Sequence, residues 1–499
     1  MRLHGSHAPA TAPSNAQTTI RRCGAGMALL LAAAVTFYAF PSLTGHRVIY
    51  KSFNCLLAVG LLGCYLRGHQ AFRSGPDGVG IRTIVWMGAC LVLLAALIVP
   101  FHSTDLFSYV NTGWLQARYH ANPYLTVVAD IPDWSKDPML GPDWVFTPPP
   151  YGFLFVRLTH VLCAIGGGHF FWTTALFKAT NVLAIAACAL VLALGCNRLT
   201  PTRTAEALFH LLWNPLLLIH ALGNGHNDIL MALGVALGLY AVIAGRSVLV
   251  MPALMGAVLV KVAAAVLVPF VFCYMVRRWG WSRTLQSCIL SLLVFAALAF
   301  PYLKEIDATS AARLAPAPTR VHNSIPSMVI FPFEVLAHYY PEYLVYEPHV
   351  YRWLRGVFGA GFLCLGALLA IKRLRSRRYA TEQLLWDCVL VQFVLLCIVS
   401  PQFYAWYIGM FLPVALWLPI DSKLRNAVLA VAGAEVFSVT LIGQAHFLNA
   451  LVMLVVPMTW VLVGWRPPAA DDPRRPQYRG RRRRKPSRRS HAALTNHVL

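Results

Sequence analysis

The chain has 499 residues, 58% of them hydrophobic and only 12% charged, with a formal net charge of +23. Soluble domains carry about 25% charged residues, so this composition excludes a soluble globular protein and predicts an integral membrane protein with many spans. The positive charge does not imply nucleic acid as a partner, because residues 466–499 alone hold eleven Lys/Arg against two Asp. That tail, densest at "RRPQYRGRRRRKPSRRS", has little to bury. It is expected to be disordered and to lie on anionic lipid headgroups at the cytoplasmic face. None of the twelve cysteines forms a Cys-x-x-Cys pair, so neither a disulfide framework nor a zinc site is indicated.

In chain order, an N-terminal tail (1–26) precedes apolar runs at about 27–45, 52–67, 83–100, 171–195, 205–222, 228–244, 247–276, 285–302, 350–371, 383–400, 403–420, 424–442 and 446–465. The first run follows Arg21 and Arg22 without a small-residue cleavage site and reads as a retained helix. Basic loops stay in the cytoplasm. Placing "RGHQAFRSG" (67–75), "NRLTPTR" (197–203), Arg246, "RRWGWSR" (277–283), "KRLRSRR" (372–378) and "SKLR" (422–425) there requires the run 247–276 to cross twice. A break near Leu259–Lys261 achieves this. The expectation is an all-α polytopic membrane domain over 27–465, with about 13–14 transmembrane helices and both termini inside. The stretch 153–168, between "PPPYGF" and "GGGH", would upset the alternation as a full span and is expected to be re-entrant or interfacial.

Two long outer loops follow from this topology, 101–152 and 303–349. Together with the turn before Ile229 they collect eleven of the nineteen acidic residues. Chemistry is therefore expected on that face, away from the cytoplasm.

The first loop opens "FHSTDLFSYVNTGWLQARYHANPYL" (101–125). Asp105 lies five residues past a spanning run. Ser103, Thr104 or Asp105 could cap a following helix; alternatively, partial burial raises the Asp105 pKa and makes it a general base for an acceptor sugar hydroxyl. "HANPYL" is a turn signal, and its Asn122 and Tyr124 have groups that bond sugar hydroxyls. "GNGHNDILMALG" (223–234) packs Asn224, His226, Asn227 and Asp228 between two spans, where a plain turn would serve. A metal at His226 and Asp228 would lack a third ligand.

Lys261 is a lone lysine in "AVLVKVAAAVLVP". It either snorkels to the interface or meets a lipid phosphate there. In the second loop, "TRVHNS" (319–324) offers Arg320 and His322 for phosphate or sugar contacts, with Arg352 further on. "SPQFYAWYIGMFLP" (400–413) carries Gln402, Tyr404, Trp406 and Tyr407, an aromatic belt or a surface on which sugars stack.

Four segments, "STDLFSYVNTG" with "NPYL" after it, "GNGHNDILM", "LVKVAAAVLVP" and "SPQFYAWY", occur in that order over residues 101–413. Together they resemble the GT-C superfamily of polyprenol-phosphate-sugar-dependent glycosyltransferases, most of all the bacterial α-mannosyltransferases that use polyprenyl-phosphate-mannose. The resemblance implies a GT-C-like fold, with Asp105 as catalytic base and Lys261 at the donor phosphate. It places His226, Asn227 and Asp228 near donor or acceptor. The chain departs from relatives in reading "TPPPYGF" where a Tyr-Gly-Pro order is usual, and in lacking a second acid next to Asp105.

The implied partners are a polyprenyl-phosphate sugar donor, a glycan or glycolipid acceptor and membrane lipids. Sugar nucleotides are not available beyond the membrane, so the donor must be lipid-borne. The phosphate would meet Lys261 and Arg320, and attack by an oxygen activated by Asp105 would invert the anomeric centre. No cofactor is expected, and no DxD-like metal motif is present. Two alternatives remain at this level. A transporter or flippase of lipid-linked sugars would place polar residues at mid-membrane with internal repeats. An O-antigen-type ligase or polymerase would rely on the late loop 303–349 rather than on Asp105.

Overall fold

The computed structural model describes residues 15–74, 78–307, 321–376, 378–441 and 446–464. Arg320 and the basic tail lie outside the described residues. Within them the regular structure is helical, and the one β feature is an isolated bridge between His322 and Gln402. This is the architecture a bilayer demands of a chain without a closed barrel, because a helix satisfies its backbone internally.

Seven helices are long and apolar enough to cross a membrane: Asn15–Ala39, Arg47–Ser74, Phe170–Leu199, Val262–Leu303, Pro341–Arg375, Thr381–Val399 and His446–Val463. The pair Pro201–Leu212 and Leu217–Gly223, bent by 58°, adds an eighth if taken as one broken span. Shorter apolar helices include Ile81–Leu97, Asp228–Ile243 and Ser247–Val258, and these account for much of the difference from the larger helix number expected. Phe153–Gly166 has 14 residues, below spanning length.

The run 247–276 breaks where charge bookkeeping placed the break. Ser247–Val258 ends, Lys261 is extended (φ −142, ψ 129), and Val262–Leu267 resumes as a 3-10 turn. A second break at Gly280 (φ 81, ψ 172) falls within "RRWGWSR" and separates the two legs of Val268–Leu303. Several apolar runs expected as single spans are not continuous helices, among them 424–442, which is interrupted between Lys423–Glu435 and Ser438–Leu441. The run 205–222 divides around Asn214–Pro215, since proline removes a donor and disfavours helix in the residue before it. The run 403–420 becomes a 3-10 stretch, Ala405–Met410, and a four-residue helix, Leu412–Ala415. Pro413 stands in the first turn of that short helix, and Pro419 follows its end.

The core lies around Phe170–Leu199, Asp228–Ile243 and the broken segments just described, where Trp213, Phe209 and Phe411 are fully buried. Pro341–Arg375 is the opposite case: only 6% of its most apolar window is covered by protein, leaving Leu363, Leu368 and Trp353 exposed. Ionic ties join helices at the basic end. Asp387 accepts from Arg373 Nε (2.7 Å), Arg373 Nη2 (2.8 Å) and the Tyr379 hydroxyl (2.7 Å). Glu206 accepts from the buried Arg425 at 2.6 Å.

The long loop 101–152 is itself folded. Asp105–Tyr119 forms a helix on which Leu115 meets Val128, Leu140 and Val145 in a small apolar cluster. Asn111 closes the loop over this helix, accepting from Gly141 N (2.8 Å) and donating to Gly141 O and Asp143 O (both 3.1 Å).

Candidate active site

Four segments far apart in sequence converge: the start of the first outer loop, the 223–228 turn, the break at Lys261 and the 404–407 aromatics. Asp105 is the first residue of its helix, and its carboxylate is not spent on capping. Thr104 occupies the cap position without a side-chain bond, and the Asp105 N–H is taken by Ser103 Oγ at 3.2 Å. The Asp105 side chain, 18% exposed, turns instead to His226, with Oδ2 3.3 Å from Nδ1. That is ion-pair range, although off the line of a good hydrogen bond.

Burial pushes the Asp105 carboxyl up, as the sequence suggested. Bonding and charge from His226, with Lys261 and Ser103 behind it, outweigh that push and hold the group below the usual carboxylate range. The expected upward shift is thus overturned, because an imidazole and an ammonium face the acid.

His226 is fully buried and stacks on Trp406, with centroids 3.7 Å apart and planes 14° apart. Trp406 stacks in turn on Tyr404 at 4.7 Å and 8°. This file explains why "FYAWY" is more than an interfacial belt: its central indole is the floor beneath the imidazole.

Asp228 starts the helix Asp228–Ile243, where a negative charge meets the positive end of the helix dipole. Its Oδ1 accepts from Lys261 Nζ at 2.8 Å. The ammonium also lies 5.6 Å from the Tyr151 ring and 5.7 Å from the Tyr407 ring, a cation–π setting. Burial raises the phenols of Tyr151 and Tyr407 well above their ordinary range, so both remain neutral donors beside Asp105 and Asp228.

Polar atoms around this centre are left over. His220 and His226 ring nitrogens, both ends of the Asn227 amide, Asp228 Oδ2 and the Tyr109 hydroxyl are buried without a hydrogen-bond partner among the described residues. Buried polar groups are normally paired; a second such set lies at Arg203, Glu206 and Arg425, and what distinguishes this one is that it surrounds Asp105 and Lys261. No group of three or more His, Cys, Asp or Glu among the described residues is arranged to hold a metal ion.

Two backbone features set the arrangement. Gly225 adopts φ +78, allowing the chain to reverse between Asn224 and His226. Gly152 approaches the Leu259 backbone so closely that a Cβ would stand 2.4 Å from the Leu259 oxygen. This contact delivers Tyr151 to Lys261.

The other residues singled out in the sequence are placed as follows. Asn122 is used internally, donating to Tyr302 O (3.1 Å) and accepting from Tyr124 N (3.2 Å), and the Tyr124 hydroxyl donates to Tyr151 O (2.7 Å). Both brace the loop that carries Tyr151. His322 pairs by backbone with the strand-like segment at Gln402, donating to Pro401 O (2.9 Å) and accepting from Phe403 N (2.9 Å). Its ring lies 5.4 Å from Tyr404 and 4.0 Å from His446. Arg320 falls outside the described residues.

Sequence reasoning overlooked Lys178, Asn181, His220 and the part played by Tyr151. Lys178 had a signal, a lone cation inside the apolar run 171–195, of the same kind that singled out Lys261.

The family model described as "Alpha-(1->6)-mannopyranosyltransferase, N-terminal domain" matches residues 18–277, more than half of the chain. The chain belongs to this family. Relatives in this mannopyranosyltransferase family include alpha-(1->6)-mannopyranosyltransferase A of Mycobacterium tuberculosis, 27% identical over 274 residues, which is 51% of this chain and 50% of the relative. The protein of the same name from Corynebacterium glutamicum is 28% identical over 262 residues, 49% of this chain and 50% of that one. The similarity thus spans about half the length of the curated relatives. The family match includes Asp105, Lys178, His226, Asp228 and Lys261 and stops before His322 and Trp406.

Proposed function

We propose that this protein is a membrane mannosyltransferase that moves mannose from a polyprenyl-phosphate donor to a glycan or glycolipid acceptor on the extracytoplasmic face. Family membership supports the sugar and the reaction class. The observation that carries the mechanism is the convergence of an ionised acid, Asp105, and a cation, Lys261, around unpartnered polar groups on the face that charge placement puts outside.

In this reading Asp105 takes the proton from the acceptor hydroxyl. The acceptor oxygen bonds to the anomeric carbon as the carbon–phosphate oxygen bond breaks, and the electron pair leaves with the polyprenyl phosphate. Attack opposite the leaving group inverts the centre. A base held ionised by His226 is ready at neutral pH. Lys261, resting on Asp228 and framed by Tyr151 and Tyr407, offers its charge to the departing phosphate, with Arg320 as a second cation. Asn227 and the imidazoles have free donors and acceptors for sugar hydroxyls.

The test is transfer of labelled mannose from polyprenyl-phosphate-mannose to a panel of mannosides by the purified protein and by Asp105→Asn. Transfer by the first and none by a folded variant supports the reading. Equal transfer by both removes Asp105 from the chemistry. Absence of transfer by the parent protein, with donor translocation detected in vesicles, would favour a flippase.

A further inference from the structure

Lys178 lies on the helix Phe170–Leu199 and is only 8% exposed. Among the described residues its ammonium meets no acid. It donates instead to three main-chain carbonyls: Ala96 O (3.2 Å), Ile98 O and Gly223 O (2.8 Å). One helical turn later, on the same face, Asn181 donates to Ala221 O (2.8 Å) and His226 O (3.0 Å). A third link closes the group: Asn224 Oδ1 accepts from Phe101 N (3.0 Å) and His102 N (2.9 Å).

Lys178 and Asn224 link two stretches directly, and Asn181 ties the second of them to the Lys178 helix. One is 96–102, the end of Ile81–Leu97 and the lead into Asp105. The other is 221–226, which ends at His226. Both leave their helices at this point and expose carbonyls that no further helical turn can satisfy. An ammonium has three donors and no acceptor, which matches three carbonyls. Burying it is costly in a membrane domain, and an amide can supply only two such bonds.

We infer that Lys178, seconded by Asn181, is the positioning residue that sets the approach of Asp105 to His226. This rests on the reading of Asp105 as the base. Lys178 touches neither of the two side chains; it fixes the backbones from which they project. Its loss lets the 96–102 stretch drift from 221–226 and lengthens the 3.3 Å contact between carboxylate and imidazole.

The consequence is visible in pH dependence. Asp105 faces His226 from the 223–228 turn, Lys261 from the hairpin break with Asp228 behind it, and the neutral phenols of Tyr109, Tyr151, Tyr404 and Tyr407. Weakening the His226 contact removes the largest influence that opposes burial. The carboxyl then titrates higher, and the acid limb of the rate profile moves toward neutrality.

The experiment compares full-length Lys178→Met and Lys178→Arg with the parent and with Asp105→Asn, in detergent, using polyprenyl-phosphate-mannose and a mannoside acceptor. Lys178→Met is expected to lose about 10–100-fold in kcat with donor KM within about twofold. Its acid limb should sit at higher pH, so that part of the loss returns on raising the pH, and Lys178→Arg should recover part of the rate. If Lys178→Met does not fold, Asn181→Ala, which releases the Ala221 and His226 carbonyls, takes its place with the same expected pattern. A folded variant with the parent's kcat and pH profile, beside an inactive Asp105→Asn, overturns the inference and leaves the base intact. An active Asp105→Asn overturns the base reading first, whatever Lys178 does.

Discussion

Asp387 and Asp228 are both buried acids facing a basic side chain, yet they are treated differently by their surroundings. Asp387 has both oxygens engaged, by two nitrogens of Arg373 and by Tyr379. Asp228 has one oxygen on Lys261 and the other without a hydrogen-bond partner among the described residues, with the Asn227 amide beside it equally unengaged. A tie between helices works best when it is saturated, because every unpaired polar atom in a dry interior costs free energy. A site that receives a sugar and a phosphate, as proposed for Asp228 and Lys261, cannot be saturated beforehand. The degree of satisfaction, rather than burial or charge, separates the two.

The largest effect expected from this contrast is at the base. Asp105→Asn should lower turnover by about 10²–10⁴-fold while the protein elutes and unfolds like the parent, as followed by labelled-mannose transfer. Next comes the cation. Lys261→Met should cost about 10²-fold in kcat and also destabilise, since it strands Asp228. Adding Asp228→Asn should restore the melting temperature without restoring transfer, which a tie like that of Asp387 would not show.

The converse substitution, Asp387→Asn, should lower stability by about 3–5 kcal/mol and leave turnover per folded molecule unchanged. Loss of transfer out of proportion to unfolding there would erase the distinction.

A smaller effect concerns pH. His226 and Lys261 favour the ionised form of Asp105 and burial opposes it, the net shift being downward. In the parent the rate should therefore fall only in acid, below the ordinary carboxylate range. With His226→Gln the opposition from burial gains weight, the pKa rises, and the fall should begin at higher pH. Smallest of all, Asn122→Ala should remove about 1 kcal/mol of stability with little change in acceptor KM, since both ends of that amide serve the loop itself.

Much of the membrane domain was legible in composition because lipid permits few structures, and the basic loops together with the length of the run 247–276 pointed to a break near 259–261. Asp105, His226, Asp228 and Lys261 were legible because each is a polar residue where an apolar or indifferent one would have sufficed. What failed was finer. An apolar run shows no period that distinguishes a straight span from one broken around Asn214–Pro215, and 403–420 has the hydropathy of a span without its continuity. The upward shift expected for Asp105 followed from burial alone; the opposing imidazole comes from a residue more than a hundred positions away. Trp406 looked like any interfacial ring until its partner was known.

One contact has a consequence for motion. The first amides of the helix Phe153–Gly166 have no carbonyl of their own, and the broken hairpin leaves carbonyls without a continuing helix. The two deficits meet: Gly152 N donates to Val260 O (3.1 Å), while Leu154 N (2.9 Å) and Phe155 N (3.3 Å) donate to Leu259 O. The end of the 101–152 loop is thereby tied through its backbone to the broken hairpin at 259–261, and the amides of Leu154 and Phe155 should exchange their hydrogens as slowly as those of the long helices.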